Sequence, residues 1–577
     1  MALRDVTVAQ AANLIDGRLA RRRVFGWQAF VEKSAISWSV AAPSRTFRRI
    51  LLSVVGILVL ASCGAAETTL PCEVDRRCLR YAISVDIPVL DPHESNLPEA
   101  GMIFRQIYDT LIYRDDESRQ FVPGLATDWQ VSPDGLVYTF HLRPNVAFHD
   151  GSAFTAESVA RNIERIFHPD SGSSLARELF GPLQQYEILD EHTIRLRLYE
   201  PYAALLDGLA QPYLGIASPA ALERYDRLRY QYHQSGTGPF MLEDYLPGKR
   251  IVLRRYGSYS VDSANYEPLS GEEIERIEIS IIGESDADLV SLLGISQDVI
   301  DDVSPGAAQR LSGNSRAMLF PTQIPGQSVQ FVFNTNRRHL DDHAVRLSLL
   351  LATNRIAIID QVYFNTSPLA WMPLSESTGF AHTGFIGEYE FDLVQAQAAL
   401  SAAGYADADG DGLLDLDGAT LSLTMLVPPW GQLPEVAALL QEQWRQIGVR
   451  LVTEPVTGES QLQSLIQSRE FDLLPVTNYG IDPGILGRVF LDRSLYAYAR
   501  AQHPVLNDKL VRAAQELDPA QRRTQYYEIQ SLLMQEALLL PIREVVRLRA
   551  ASANVDGLRY DAYGLYPLWY NVAITAN

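Results

Sequence analysis

The stretch Phe121–Val159 reads FVPGLATDWQVSPDGLVYTFHLRPNVAFHDGSAFTAESV, and its reading decides the fold. From Val137 to Leu142 apolar and polar residues alternate, so Tyr138, Phe140 and Leu142 share one face of a strand. Pro133, Asp134 and Gly135 form the turn that launches it, because proline presets φ, an aspartate side chain bonds nearby backbone and glycine tolerates positive φ. A second turn, Asp150-Gly151, leads to Thr155, the expected N-cap of a helix with Val159, Ile163, Ile166 and Phe167 along one side.

Working outward, Tyr81 to Val85 reads as the first strand of the body, and Thr193 to Leu198 sets Ile194, Leu196 and Leu198 against Arg195 and Arg197, the code of a sheet with one wet face. Gly236-Thr237-Gly238-Pro239-Phe240 predicts a sharp crossover; no Gly-Lys-Ser/Thr follows, so it is not a phosphate loop. Arg276 to Ile281 alternates again, with a short helix over Ala287–Leu293 behind it, and Val329, Phe331 and Phe333 lead to Asn334. Asp341 to Tyr363 reads as one helix, and Phe391 to Gly404 as another, closed by its glycine. The strand at Leu421 to Met425, the helix Pro434 to Ile447 and the strand from Val449 make a βαβ unit with parallel strands, and Pro519 to Leu538 is the last long helix.

A chain of 577 residues predicts about two to four domains. Its 47% hydrophobic and 21% charged residues are those of a folded protein, and a net charge of −21 argues against nucleic acid as a partner. Residues 1–62 hold 9 Lys+Arg against 3 Asp+Glu, leaving 40 against 67 in the remainder: a basic leader before an acidic body. Within that leader, Phe47-Arg48-Arg49 precedes the apolar run Ile50 to Leu60 and then Ala61-Ser62-Cys63-Gly64. An apolar run eleven residues long falls short of the ~20 that cross a bilayer, and the pattern matches a lipoprotein signal peptide in which Cys63 becomes the lipidated N-terminus. Cys72 and Cys78 are the other two cysteines; in an exported chain they can form a small disulfide, and two thiols are too few for a metal site.

The run LA-x-x-W-x-V-S-x-D-G-x-x-Y-T-F-H-L-R from Leu125, followed by FHDG and T-A-E-S-V, closely resembles the signature of the family 5 extracellular solute-binding proteins, the peptide-binding components of bacterial ABC importers. Leu90-Asp91-Pro92, Ile107 to Leu111, Gly236 to Phe240 and Phe333-Asn334-Thr335 resemble further family motifs in the expected order, with His343-Ala344 and Asn354 as departures. The resemblance implies an α/β fold of the periplasmic-binding-protein type II, two lobes closing like a Venus flytrap, with a subdomain inserted in the first. The corresponding boundaries are a leader at 1–62, a tether at 63–78, lobe 1 at 79–111, 226–325 and 546–577, the inserted subdomain at 112–225 and lobe 2 at 326–545.

The family also implies a peptide or other small solute as ligand, a permease with its ATPase subunits as partner, a membrane held through the lipid anchor, a monomer and no cofactor. Other members take nickel chelates, haem, opines or oligosaccharides, and a surface sensor, a chaperone or a peptide hydrolase are the rival classes. No H-E-x-x-H, G-x-S-x-G or G-x-x-x-x-G-K-[ST] points to an enzyme. In the family an aspartate preceded by an aromatic pairs with the peptide α-ammonium; by position these are Asp482 and Tyr479, although Pro483 departs from the pattern. Tyr108, Trp371 and Trp430 are candidates to line the cleft as sequence-tolerant aromatics, and Asn334 to bond peptide backbone at the lobe crossing. Asp407, Asp409 and Asp411 start an EF-hand-like loop with Gly412, but position twelve is Gly418 where calcium needs a bidentate glutamate, so an acidic surface turn is favoured over calcium.

Overall fold

The computed structural model describes Cys72 and residues 77–261, 273–283, 293–314, 316–491 and 504–575. Cys63 with the whole leader, and most of the helix expected over Ala287–Leu293, lie outside the described residues. Cys72 and Cys78 are joined by a disulfide with their Cα atoms 5.2 Å apart.

Cys78–Ile83 lies at the centre of a seven-stranded sheet and pairs in parallel with both Arg276–Ile281 and Val299–Ile300. It begins at Cys78, three residues before the expected start. A central parallel strand is covered on both faces, and Leu79, Tyr81 and Ala82 are accordingly buried. Arg250–Arg255 and Phe240–Leu246 extend the sheet on one side, Val546–Ser552 and Ala317–Gln323 on the other.

The quoted stretch supplies two strands of a separate four-stranded antiparallel sheet, ordered Ala126–Val131, Val137–Leu142, Thr193–Leu198, Leu183–Asp190. Tyr138, Phe140 and Leu142 face its core, together with Val159, Ile163 and Ile166 of the helix Ala156–Phe167. Ser158 Oγ accepts from the Thr155 N–H, closing the first turn of that helix.

The second large sheet runs Arg450–Pro455, Ser422–Val427, Leu473–Val476, Val329–Phe333, Leu539–Arg543. Ser422–Val427, the helix Leu433–Arg445 and Arg450–Pro455 form the expected βαβ unit with parallel strands. Asp341–Tyr363 differs from its reading as one helix: it is two, His343–Leu351 and Arg355–Gln361. Asn354 is the reason, because its side chain accepts from the Ala357 N–H as N-cap of the second, and an N-cap holds non-helical dihedrals.

The chain passes between the two large sheets twice, at 324–328 and at 544–545, so the molecule has two lobes. The passages run side by side, Ile324 N donating to Val545 O at 2.8 Å and Gln323 Nε2 to Glu544 Oε2 at 3.1 Å.

Candidate functional site

Beyond the carboxyl end of Leu473–Val476 the chain turns through 477–482, where ligands of α/β sheets commonly bind. The loop is zipped to the first lobe crossing: Gln327 N donates to Asn478 O and Gly480 N to Pro325 O. Gly326 permits this approach, since its φ is +141° and a Cβ there would lie 2.1 Å from Asn478 O. Asp482 then caps the short turn Pro483–Leu486, accepting from Gly484 N at 2.7 Å.

This loop forms one wall of a cavity of about 730 Å3, within the usual range for small-ligand sites. The facing wall comes from residues 167–211, including Glu178, Tyr202 and Asp207. Hydrogen bonds cross the rim: Ala203 N to Ala514 O at 2.9 Å, Gln515 Nε2 to Glu200 Oε2 at 2.7 Å, and Arg488 Nε to Glu178. The two walls are therefore in contact at the rim of the cavity. Tyr479 also borders two adjoining cavities, of about 260 and 230 Å3.

Asp482, Asp207 and Glu178 on the main cavity are each paired with an arginine. Arg522, from the helix Pro519–Gln535, donates Nη1 to Asp482 Oδ2 at 2.7 Å and Nη2 to Oδ1 at 2.8 Å. Burial alone raises the pKa of Asp482, but the guanidinium charge and its two hydrogen bonds outweigh that and hold the group below the ordinary carboxylate value. Across the cavity, Asp207 accepts from Arg114 Nε at 2.9 Å and Tyr563 Oη at 3.0 Å; burial raises its pKa in spite of the arginine. Burial also pushes the Tyr479 phenol above its usual value, so it enters as a neutral hydrogen-bonding ring.

Of the residues singled out in the sequence, Asp482 and Tyr479 stand on the main cavity and Trp430 on the 260 Å3 cavity. Tyr108, Asn334 and Trp371 line none of the three. Each is engaged elsewhere: Tyr108 Oη bonds Tyr230 Oη and Gln234, Asn334 Nδ2 donates to Phe471 O at 2.9 Å, and Trp371 lies 4.6 Å under the Arg355 guanidinium. In the acidic turn, Asp407 accepts from Gly410 N and Gly412 N, Asp409 from Asp411 N, and Asp411 from Leu413 N. These exposed carboxylates close their own loop, as turn aspartates do. Sequence reasoning missed Arg522, Asp207, Arg114 and Glu178. Arg522 sits in a run, QRRTQ, whose pattern does not separate it from the neighbouring Arg523, and only its position 40 residues from Asp482 in space-filling contact distinguishes it.

Residues 120–484 match the family described as bacterial extracellular solute-binding proteins, family 5 Middle. The chain is 27% identical over 557 residues to the peptide transport periplasmic protein SapA of Salmonella typhimurium, covering 90% of this chain and 96% of that protein. Among solved structures, NikA from Brucella suis in complex with Fe(III)-EDTA superposes with a TM-score of 0.77 at 22% identity, covering 86% of this chain and all (100%) of that one. The dipeptide-binding protein from Pseudoalteromonas sp. SM9913 in complex with Met-Leu gives 0.73 at 21%, with 86% and 100% covered.

Proposed function

The chain belongs to the bacterial extracellular solute-binding proteins of family 5, the solute receptors of ABC importers, and from that premise we propose that it captures di- or oligopeptides between its lobes and presents them to a permease. Proteins of this family bind their solute and are not enzymes, and the fold is the two-lobed α/β type II architecture of periplasmic binding proteins. The observation that carries the proposal is the cavity of about 730 Å3 walled by both parts of the molecule, with hydrogen bonds across its rim. A ligand touching both walls stabilises the closed state, which a permease can distinguish from the open one. The relative SapA, named for peptide transport, and the Met-Leu complex of a neighbouring fold support a peptide in particular.

In this reading Asp482 receives the peptide ammonium. A carboxylate has about four lone-pair sites, and three are taken by Gly484 N and the two Arg522 contacts, which leaves one on Oδ2. Tyr479 flanks it. Cys63 is the lipidated residue that tethers the receptor to the outer face of the cytoplasmic membrane. Residues 79–111, 226–325 and 546–577 make lobe 1, 112–225 its insertion and 326–545 lobe 2. Tyr108, Asn334 and Trp371 are not part of the contact set proposed.

The test is mass spectrometry of the ligand released on denaturing protein purified from its native host, followed by thermal shift with the peptide found. Saturating peptide should raise Tm, since a ligand at ~100 Kd adds about 2.7 kcal/mol of stability. An N-acetylated copy should stabilise far less; equal stabilisation would retire the role of Asp482, and release of a non-peptide solute would retire the peptide.

A further inference from the structure

The four-stranded unit and the second lobe meet without a direct chain connection. The unit has an apolar core of its own, and the chain reaches it from the seven-stranded sheet after Cys78–Ile83 and returns to that sheet at Phe240–Leu246. Its contacts with the second lobe can therefore part and re-form as the lobes move. Three of them gather at one place, the end of the helix Pro504–Gln515 and the loop that leads to Pro519–Gln535. Ala203 N donates to Ala514 O at 2.9 Å, Gln515 Nε2 donates to Glu200 Oε2 at 2.7 Å, and Leu517 sits on the turn at Gly135, where an added Cβ would lie 2.3 Å from Leu517 Cδ1. The pair of Arg488 with Glu178 is a fourth contact.

A helix leaves its last carbonyls without intrahelical donors, and those are the groups engaged here. Ala514 O is taken by the facing unit, while Ala513 O, one residue earlier, accepts from Arg522 Nε at 3.0 Å. Arg522 in turn holds Asp482 through Nη1 and Nη2. One helix end thus bears both the grip between the two walls and the seat of the charge pair on the cavity. Leu517 remains exposed to solvent and, like Gly135, stands outside the cavity lining, so the apolar part of the grip can be altered without touching the residues around a solute. Every one of these contacts joins protein to protein. A single net hydrogen bond shifts a two-state equilibrium about fivefold, so several acting together bias the lobes strongly toward closure.

We propose that the four-stranded unit is a closing latch: by gripping residues 514–517 it holds the two lobes together whether or not a solute fills the cavity. The proposal uses the two-lobed fold and no step of the peptide reading, so a failure of that reading leaves its test standing. Hydrogen exchange read by mass spectrometry, on protein freed of bound solute, follows the Ala203 amide, whose rate rises with the fraction of open molecules. Small-angle scattering on the same samples gives the radius of gyration. In the wild type the amide should be protected. Leu517→Asp, which sets a carboxylate on the turn that carries Asp134, should speed its exchange at least about tenfold and enlarge the radius of gyration, and Gln515→Ala should speed exchange about threefold. Val505→Asp, at an exposed position of the same helix outside the grip, should leave both readings as in the wild type. The proposal is overturned by an Ala203 amide that exchanges at the unprotected rate in the wild type, or by equal rates in the wild type and both latch variants. Val505→Asp exchanging as fast as Leu517→Asp would show general destabilisation, and faster exchange with an unchanged radius of gyration would show local fraying; either result also overturns it.

Discussion

Two buried carboxylates, one on the ligand cavity and one at the lobe crossing, end up in opposite states. Asp482 meets Arg522 in a bidentate pair and stays ionised. Glu544 is buried beside the first crossing with neutral donors, Gln323 Nε2 at 3.1 Å, Glu376 N at 3.3 Å and the Ser375 hydroxyl. Burial pushes its pKa up to about 7, with the charge of Glu376 adding to the effect. The difference teaches that enclosure alone does not set the charge of a buried acid. A fork of two N–H donors bearing a full positive charge outweighs desolvation, whereas neutral donors do not.

Removing the counter-ion should break the contrast most forcefully. Arg522→Ala leaves Asp482 buried without its counter-ion, and a broken buried pair typically costs about 3–5 kcal/mol, so the denaturant midpoint should fall sharply at pH 7. A midpoint within experimental error of wild type would show that Asp482 is rehydrated in the folded protein.

Glu544→Gln should act in the other direction. Folded Glu544 keeps its proton between its ordinary value of 4.5 and about 7, while the unfolded chain has already lost it. The unfolded state therefore binds fewer protons in that window, stability falls as pH rises through it, and the full cost, about 3 kcal/mol at most, is carried above pH 7. The variant should be more stable than wild type at pH 8, with little difference at pH 4.5, as read from unfolding curves at both. Asp482 has the opposite sign: its contribution is present above 3.8 and is lost as pH falls through its lowered folded value, so it does not tilt stability between pH 5 and 8.

The smallest effect belongs to Glu376→Gln. Glu376 is exposed, so its repulsion of Glu544 is screened, and the pH at which wild-type stability levels off should move down slightly, by less than about 1 kcal/mol in stability at pH 7. A shift as large as that of Glu544→Gln would mean that Glu376, rather than burial, governs the crossing.

Much of the scaffold was legible in the chain. The alternation of Val137 to Leu142, the turn at Pro133 to Gly135, the Thr155 cap and the βαβ unit through Leu433–Arg445 depend on residues within a few positions of one another, and local periodicity reports them. The break at Asn354 was equally local but was overlooked, because the apolar spacing continues through it while the capping side chain interrupts the backbone.

The site was legible only in part. Tyr479 and Asp482 came from resemblance and do stand on the cavity, yet Tyr108, Asn334 and Trp371 are used inside the lobes. The stretch that identifies the family contributes nothing to the cavity lining, while residues 167–211 just after it supply a whole wall.

By itself, then, the sequence determined the elements, their order and the family, since hydrophobic period, turn chemistry and capping act over a few residues. Tertiary structure alone decided which charges meet. Asp482 with Arg522 and Asp207 with Arg114 are set by how distant segments are brought together, and electrostatic energy depends on that distance in space, not along the chain.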